Sequence, residues 1–154
     1  MFKHILVPLD GSGFAEAALP YALELAAQFD SDVTLLRVVM PPRAGEGALS
    51  PESANFMIRV RDDLYKEAID YLQQQKGSLR QQNFRAHYQV AESDDIAVEI
   101  LNAVQGTGAD TVVMSTHGRG GLGRWLFGSV ATRVLQSAHV PVLLIRPDGT
   151  RQVN

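Results

Sequence analysis

Short apolar runs, rich in β-branched residues and nearly unbroken by polar ones, constrain this chain more than any other feature. Ile5–Leu9, Val33–Val39, Thr111–Met114 and Val142–Ile145 are of this kind. A strand wet on one face alternates apolar and polar residues, whereas a continuous run belongs to a strand covered on both faces, as in a parallel sheet. Phe84–Val90 alternates more and reads as a strand nearer the sheet margin.

Helical periods separate the runs. Ala15, Ala18, Leu19, Ala22, Leu23, Ala26 and Phe29 recur every three or four residues and form one apolar stripe. Pro20 interrupts it and predicts a kink or the early part of a helix. Met57, Val60, Leu64, Ala68 and Tyr71 form a second stripe, with Arg59, Asp62, Asp63, Lys66, Glu67 and Asp70 on the wet side. Ile96, Ile100, Ala103 and Val104 give a third, and Val130, Ala131, Val134, Leu135 and Ala138 a fourth. The order β-α-β-α-β-α-β-α-β predicts an α/β fold, a parallel doubly wound sheet with helices on both faces. Residues 1–147 are expected to form one such domain, with Pro41–Pro51 as an exposed Gly/Pro-rich loop and 148–154 as a frayed tail.

Composition narrows the function classes. The net charge of −3 comes without a long basic run, so neither nucleic acid nor an anionic membrane is an expected partner. Cysteine is absent, which excludes disulfides, thiolate metal sites and a cysteine nucleophile. Ile5–Leu9 is too short for a secretory signal, and Val140–Ile145, broken by Pro141, is too short to cross a bilayer. A soluble cytoplasmic protein is the expectation.

Open parallel sheets bind ligands beyond the carboxyl ends of their strands, where the strand order reverses. Asp10-Gly11-Ser12 follows the first strand. The fourth strand is followed by Ser115-Thr116-His117-Gly118-Arg119-Gly120-Gly121-Leu122-Gly123, which leads to Gly128-Ser129 at the start of the last helix. Glycines let a backbone approach an anion, and the N–H groups and dipole of a helix start favour phosphate. Ser129 is placed to cap that helix or to donate its hydroxyl to a phosphate oxygen.

These residues resemble the universal stress protein family. Ser115 to Gly118, nine further residues and then Gly128-Ser129 is similar to the family signature of Gly, two residues, Gly, nine residues, Gly, and Ser or Thr. Ile5-Leu6-Val7-Pro8-Leu9-Asp10-Gly11-Ser12 resembles its first strand, and Val140-Pro141-Val142-Leu143-Leu144-Ile145-Arg146-Pro147 its last. The resemblance implies an adenine nucleotide alpha hydrolase-like fold with strand order 3-2-1-4-5, and ATP with Mg²⁺ as the cofactor. It implies that Asp10 helps hold the nucleoside, and that the main chain at Ser115, Gly118 and Gly128, with Ser129, holds the phosphates. Pro8, Leu9 and Val38 would line the adenine side, with Met114 and Val130 packed nearby and His117 and Arg119 in the loop. A homodimer through the last strand, Val140–Ile145, is implied as well, and enzymatic activity amounts at most to slow ATP hydrolysis.

Two departures stand out. Ser115 replaces the first signature glycine, and Ala91-Glu92-Ser93-Asp94-Asp95 lacks the Gly and Pro common there in relatives, setting carboxylates near a polyphosphate.

Rival readings fit less well. Gly118–Gly123 satisfies G-x-G-x-x-G but follows the fourth strand rather than the first, and no Walker G-x-x-x-x-G-K-[ST] occurs. A triad of His117, a serine and Asp10 lacks the G-x-S-x-G elbow. A phosphorylated receiver would need an acidic cluster after the first strand, where Asp10 stands alone. The alternative that remains is a universal stress protein homologue that binds no nucleotide and acts through protein partners.

Overall fold

A computed structural model of the chain describes residues 1–43, 50–116 and 128–147. The elements run β1 (His4–Pro8), α1 (Gly13–Glu16), α2 (Leu19–Phe29), β2 (Asp32–Val39), α3 (Pro51–Gln81), β3 (Arg85–Glu92), α4 (Ile96–Thr107), β4 (Thr111–Ser115), α5 (Ser129–Ser137) and β5 (Val142–Ile145). The strands form one parallel sheet, as the continuous apolar runs suggest, in the order β3-β2-β1-β4-β5 that the family resemblance implies.

Side chains alternate between two cores on the two faces. Ile5, Val7, Leu9, Val33, Leu35 and Val113 join Ala18 and Ala22 beside α2, and Leu72 and Leu79 of α3. Leu6, Leu36, Val112 and Met114 face Ile100 and Val104 of α4 and Ala131 and Val134 of α5. Each fully buried aliphatic side chain of this kind contributes about 1.5–3 kcal/mol.

The first helical stripe divides in two. The turn after β1 needs Gly11, whose φ of 82° suits a residue without Cβ. Ser12 then caps α1 by accepting from the Ala15 N–H at 3.2 Å. Pro20 falls in the first turn of α2, where a missing N–H costs nothing, so it starts a helix instead of kinking one.

α3 is longer than its stripe predicts. Ser50 caps it and Pro51 opens it, so the expected Pro41–Pro51 loop yields its last residue to the helix. Its 31 residues span about 46 Å at 1.5 Å per residue. An eight-residue strand such as β3 covers about 26 Å. Its buried residues, Ala68, Leu72 and Leu79, all lie in the second half, while Phe56 and Ile58 in the first half are exposed. β3 also runs two residues further than expected, to Glu92. The expected tail, 148–154, lies outside the described residues.

Candidate functional site

The chain leaves β1 towards β2 and later passes from β3 to β4 on the other side, so the strand order reverses between β1 and β4. That is where an open parallel sheet forms a ligand crevice. The pairing of β1 with β2 runs through all of β1, from His4–Asp32 to Pro8–Leu36, and the Leu9 N–H still donates to the Leu36 carbonyl at 2.8 Å. The pairing of β1 with β4 covers only Ile5–Thr111 and Leu6–Val112. Pro8 explains the difference. The His4 carbonyl faces β4, where it accepts from Asp110 at 2.9 Å, while Leu9 faces β2. By alternation, residue 8 turns its nitrogen towards β4, and proline has no hydrogen there to donate.

Asp10 stands at the mouth of this gap. Its Oδ1 accepts from the main-chain N–H of Ser12 at 2.9 Å and from the Ser12 hydroxyl at 2.6 Å, which fixes the carboxyl group against the start of α1. Across the gap, Ser115 is the last residue of β4, paired with Ile145, and Thr116 follows it. Both are buried. The Thr116 N–H donates to the Ile145 carbonyl, and the Thr116 carbonyl accepts the Gly128 N–H, each at 2.8 Å. Thr116 thereby joins the end of β4 to the start of α5, a role not assigned to it from sequence.

The helix start removes one of the two roles open to Ser129. Gly128, not Ser129, is the N-cap of α5; Ser129 is its first helical residue and is exposed. Gly128 has no side chain with which to cap this N-terminus, and α2 likewise starts without a side-chain cap, at Ala18, whereas Ser12, Ser50 and Asp95 cap α1, α3 and α4. A Cβ added at Gly128 would lie 3.1 Å from the Thr116 carbonyl oxygen, so the close approach of the two segments favours glycine.

The expected adenine-side residues fall on two faces. Val38, Met114 and Val130 belong to the core beneath α4 and α5. Leu9 turns into the opposite core and is 4% exposed, so it meets the crevice through its main chain. Pro8, half-buried, closes β1. His117, Gly118 and Arg119 lie outside the described residues.

The carboxylates at the end of β3 and just beyond it are each met by an arginine. Glu92 pairs with Arg61 at 2.9 Å, Asp94 with Arg43 at 3.3 Å and Asp95 with Arg133 at 2.8 Å. Asp95 caps α4 at the Val98 N–H while both of its oxygens take Arg133 from α5. The Arg133 hydrogen bond, with help from the Val98 N–H, holds the Asp95 carboxyl below its ordinary value. The local repulsion expected for a polyphosphate is thus offset by cations from three other segments.

A second polar group escaped sequence reasoning. Arg37 near the end of β2 is 6% exposed, pairs with Glu67 at 3.1 Å and lies 5.3 Å from the centre of the Tyr71 ring. The Tyr71 hydroxyl donates to Glu16 Oε1 at 2.8 Å, and Gln75 donates to the same oxygen at 3.2 Å. Burial, then the hydrogen bond to Glu16, raises the Tyr71 pKa well above its ordinary value, so the phenol keeps its proton. Only folding brings β2, α1 and α3 together here; the charged residues of α3 looked like a merely wet face.

The fold and the crevice define an open, doubly wound α/β protein with an anion-suited helix start at its switch point. The model of the universal stress protein family matches residues 1–146, and the chain belongs to that family. It is 32% identical to the universal stress protein MJ0531 of Methanocaldococcus jannaschii, over 95% of this chain and 83% of that one. The solved structure of MJ0577 from the same organism superposes with a TM-score of 0.83 at 25% identity, covering 97% of this chain and 99% of that one. A universal stress protein from Archaeoglobus fulgidus, solved in complex with dAMP, shares the fold at a TM-score of 0.63 and 21% identity, covering 93% and 97% of the two chains.

Proposed function

We propose that this universal stress protein binds ATP between the ends of β1 and β4 and acts as a nucleotide-dependent regulator of the stress response in the cytoplasm. The observation that carries the reading is the start of α5: a helix N-terminus that opens at Gly128, an N-cap with no side chain of its own, on the sheet's switch point. Amide donors and the helix dipole at such an end suit phosphate. The exposed Ser129 adds a hydroxyl donor, and the Asp10 carboxylate opposite is a natural acceptor for ribose hydroxyls. The dAMP complex of the Archaeoglobus fulgidus relative supports an adenine nucleotide as the ligand class.

The described residues include no cluster of three His, Asp or Glu side chains suited to a metal ion. Mg²⁺ would therefore arrive with the nucleotide, held chiefly by phosphate oxygens and water. The described groups bind and orient: amides and a hydroxyl for phosphate, a carboxylate for the sugar. The reading is of a carrier whose occupancy changes what partners meet, with at most slow hydrolysis. Gly128 and Ser129, both present, favour it over a homologue acting through partners alone.

A homodimer belongs to the same reading. β5 is an edge strand beside β4, and Leu143 on it is exposed, so a second copy pairing along this edge would cover both. The deciding experiment is to release small molecules from the purified protein by heat and identify them. ATP or ADP at near one per chain supports the proposal; no adenine nucleotide, even after incubation with Mg²⁺–ATP, overturns it.

A further inference from the structure

We propose that Tyr71 and Gln75 of α3 are positioning residues for Asp10, acting through Glu16 and the short helix α1; this rests on the ATP-binding reading above. α1 has only four residues, too few to hold its own geometry. Its two ends are tied to different parts of the molecule. At the start, the Ser12 N–H and hydroxyl both donate to Asp10 Oδ1, and the same hydroxyl oxygen caps α1 at Ala15. At the end, Glu16 Oε1 accepts from the Tyr71 hydroxyl at 2.8 Å and from Gln75 at 3.2 Å.

α3 is the firm partner. Leu72, adjacent in sequence to Tyr71, is fully buried against the sheet, and Arg37 packs over the Tyr71 ring. A hydrogen bond to a carboxylate is among the stronger kind, and here the acceptor is part-buried. The orientation of the Asp10 carboxyl is therefore set by two linked contacts, with α1 as the link between them. A residue on α3 thus governs how well the crevice is prepared.

A double-mutant cycle tests this, using the full chain, Mg²⁺–ATP and calorimetric titration. Tyr71→Phe removes one hydroxyl and keeps the ring under Arg37. It should weaken ATP binding by roughly fivefold, within the range of measured couplings. In an Asp10→Ala background, which removes the Oδ1 acceptor of both Ser12 contacts, the same change should have no further effect, because its route has already been cut. Independent, multiplying losses would overturn the proposal, as would full affinity in Tyr71→Phe alone. Amide exchange in the ligand-free protein supplies a second arm: residues 11–17 should exchange faster in Tyr71→Phe, and unchanged rates there would overturn the link through α1. A wild type that binds no ATP defeats the nucleotide reading itself, while the exchange arm still decides whether α3 holds α1.

Discussion

The Gly128 N–H donates to the Thr116 carbonyl across 2.8 Å, and a Cβ at residue 128 would stand 3.1 Å from that same oxygen. One main-chain bond thus fastens α5 to the end of β4, and it leaves a side chain at 128 tightly crowded. The glycine serves the scaffold as well as any ligand, so its replacement has two effects that need separating.

Gly128→Val forces its side chain against main chain that cannot swing aside. The expected cost is about 1–3 kcal/mol of stability, with loss of co-purifying nucleotide. Ser129→Ala touches an exposed hydroxyl and leaves the Thr116 contact alone. Thermal melting should not shift in Ser129→Ala, while its ATP affinity falls. Equal melting-point losses in both variants would mean that the α5 start is a structural joint only.

Leu72 is the anchor of α3 on the sheet, with no exposed surface. Leu72→Ala should cost about 2–5 kcal/mol, read by chemical denaturation. Phe56→Ala, far out on the same helix and 64% exposed, should leave the midpoint nearly unchanged. The pair measures how sharply the helix divides into a seated half and a projecting half.

Acid sensitivity follows from carboxyls held below their ordinary value of 3.8. At Asp95 the cause is first the Arg133 hydrogen bond, and at Asp30 that of Arg85. At Asp110 slight burial acts upward but is outweighed by the N–H groups of Lys3 and His4. Each group releases its proton more readily in the folded chain, so its contribution is fully present above 3.8. That contribution is lost as pH falls below this value through the lower folded-state values. Melting temperature from these groups should be flat near neutrality and drop below about pH 4. Asp110→Asn should be less stable at neutral pH and show a shallower acid drop.

Leu143 is 39% exposed on the edge strand β5. If copies pair there, sedimentation at micromolar concentration should show a dimer, and Leu143→Glu should shift it to monomer by placing charges at the seam. A monomeric wild type would refute the pairing.

Most of the scaffold was legible in the chain. Runs such as Val33–Val39 suit a parallel sheet covered on both faces, so the sheet type and helix placement followed from few assumptions, while the strand order came from the family resemblance. The length of α3 was hidden because Leu72 and Leu79 sit among Gln and Arg residues in a segment with little apolar contrast. The capping role left open to Ser129 falls to Gly128 for a different reason. Serine is the better capping residue in isolation, but the Thr116 carbonyl would stand 3.1 Å from a Cβ at 128, a close approach that favours glycine at the bend. For the candidate site, the positions of Asp10, Ser115 and Gly128 at the ends of β1 and β4 and the start of α5 were readable from spacing. The arginines facing Glu92, Asp94 and Asp95, and the Glu16–Tyr71 contact, join segments up to 55 residues apart and carry no local pattern.

Pro8 carries a consequence of its own. A parallel pair of strands closes like a zip, one hydrogen-bonded step after another, and the imino acid at residue 8 is the stop that keeps the last teeth of β1 and β4 apart. Any other amino acid there would offer the missing donor and let the seam run on, making the slot shallower at the depth where Asp10 begins.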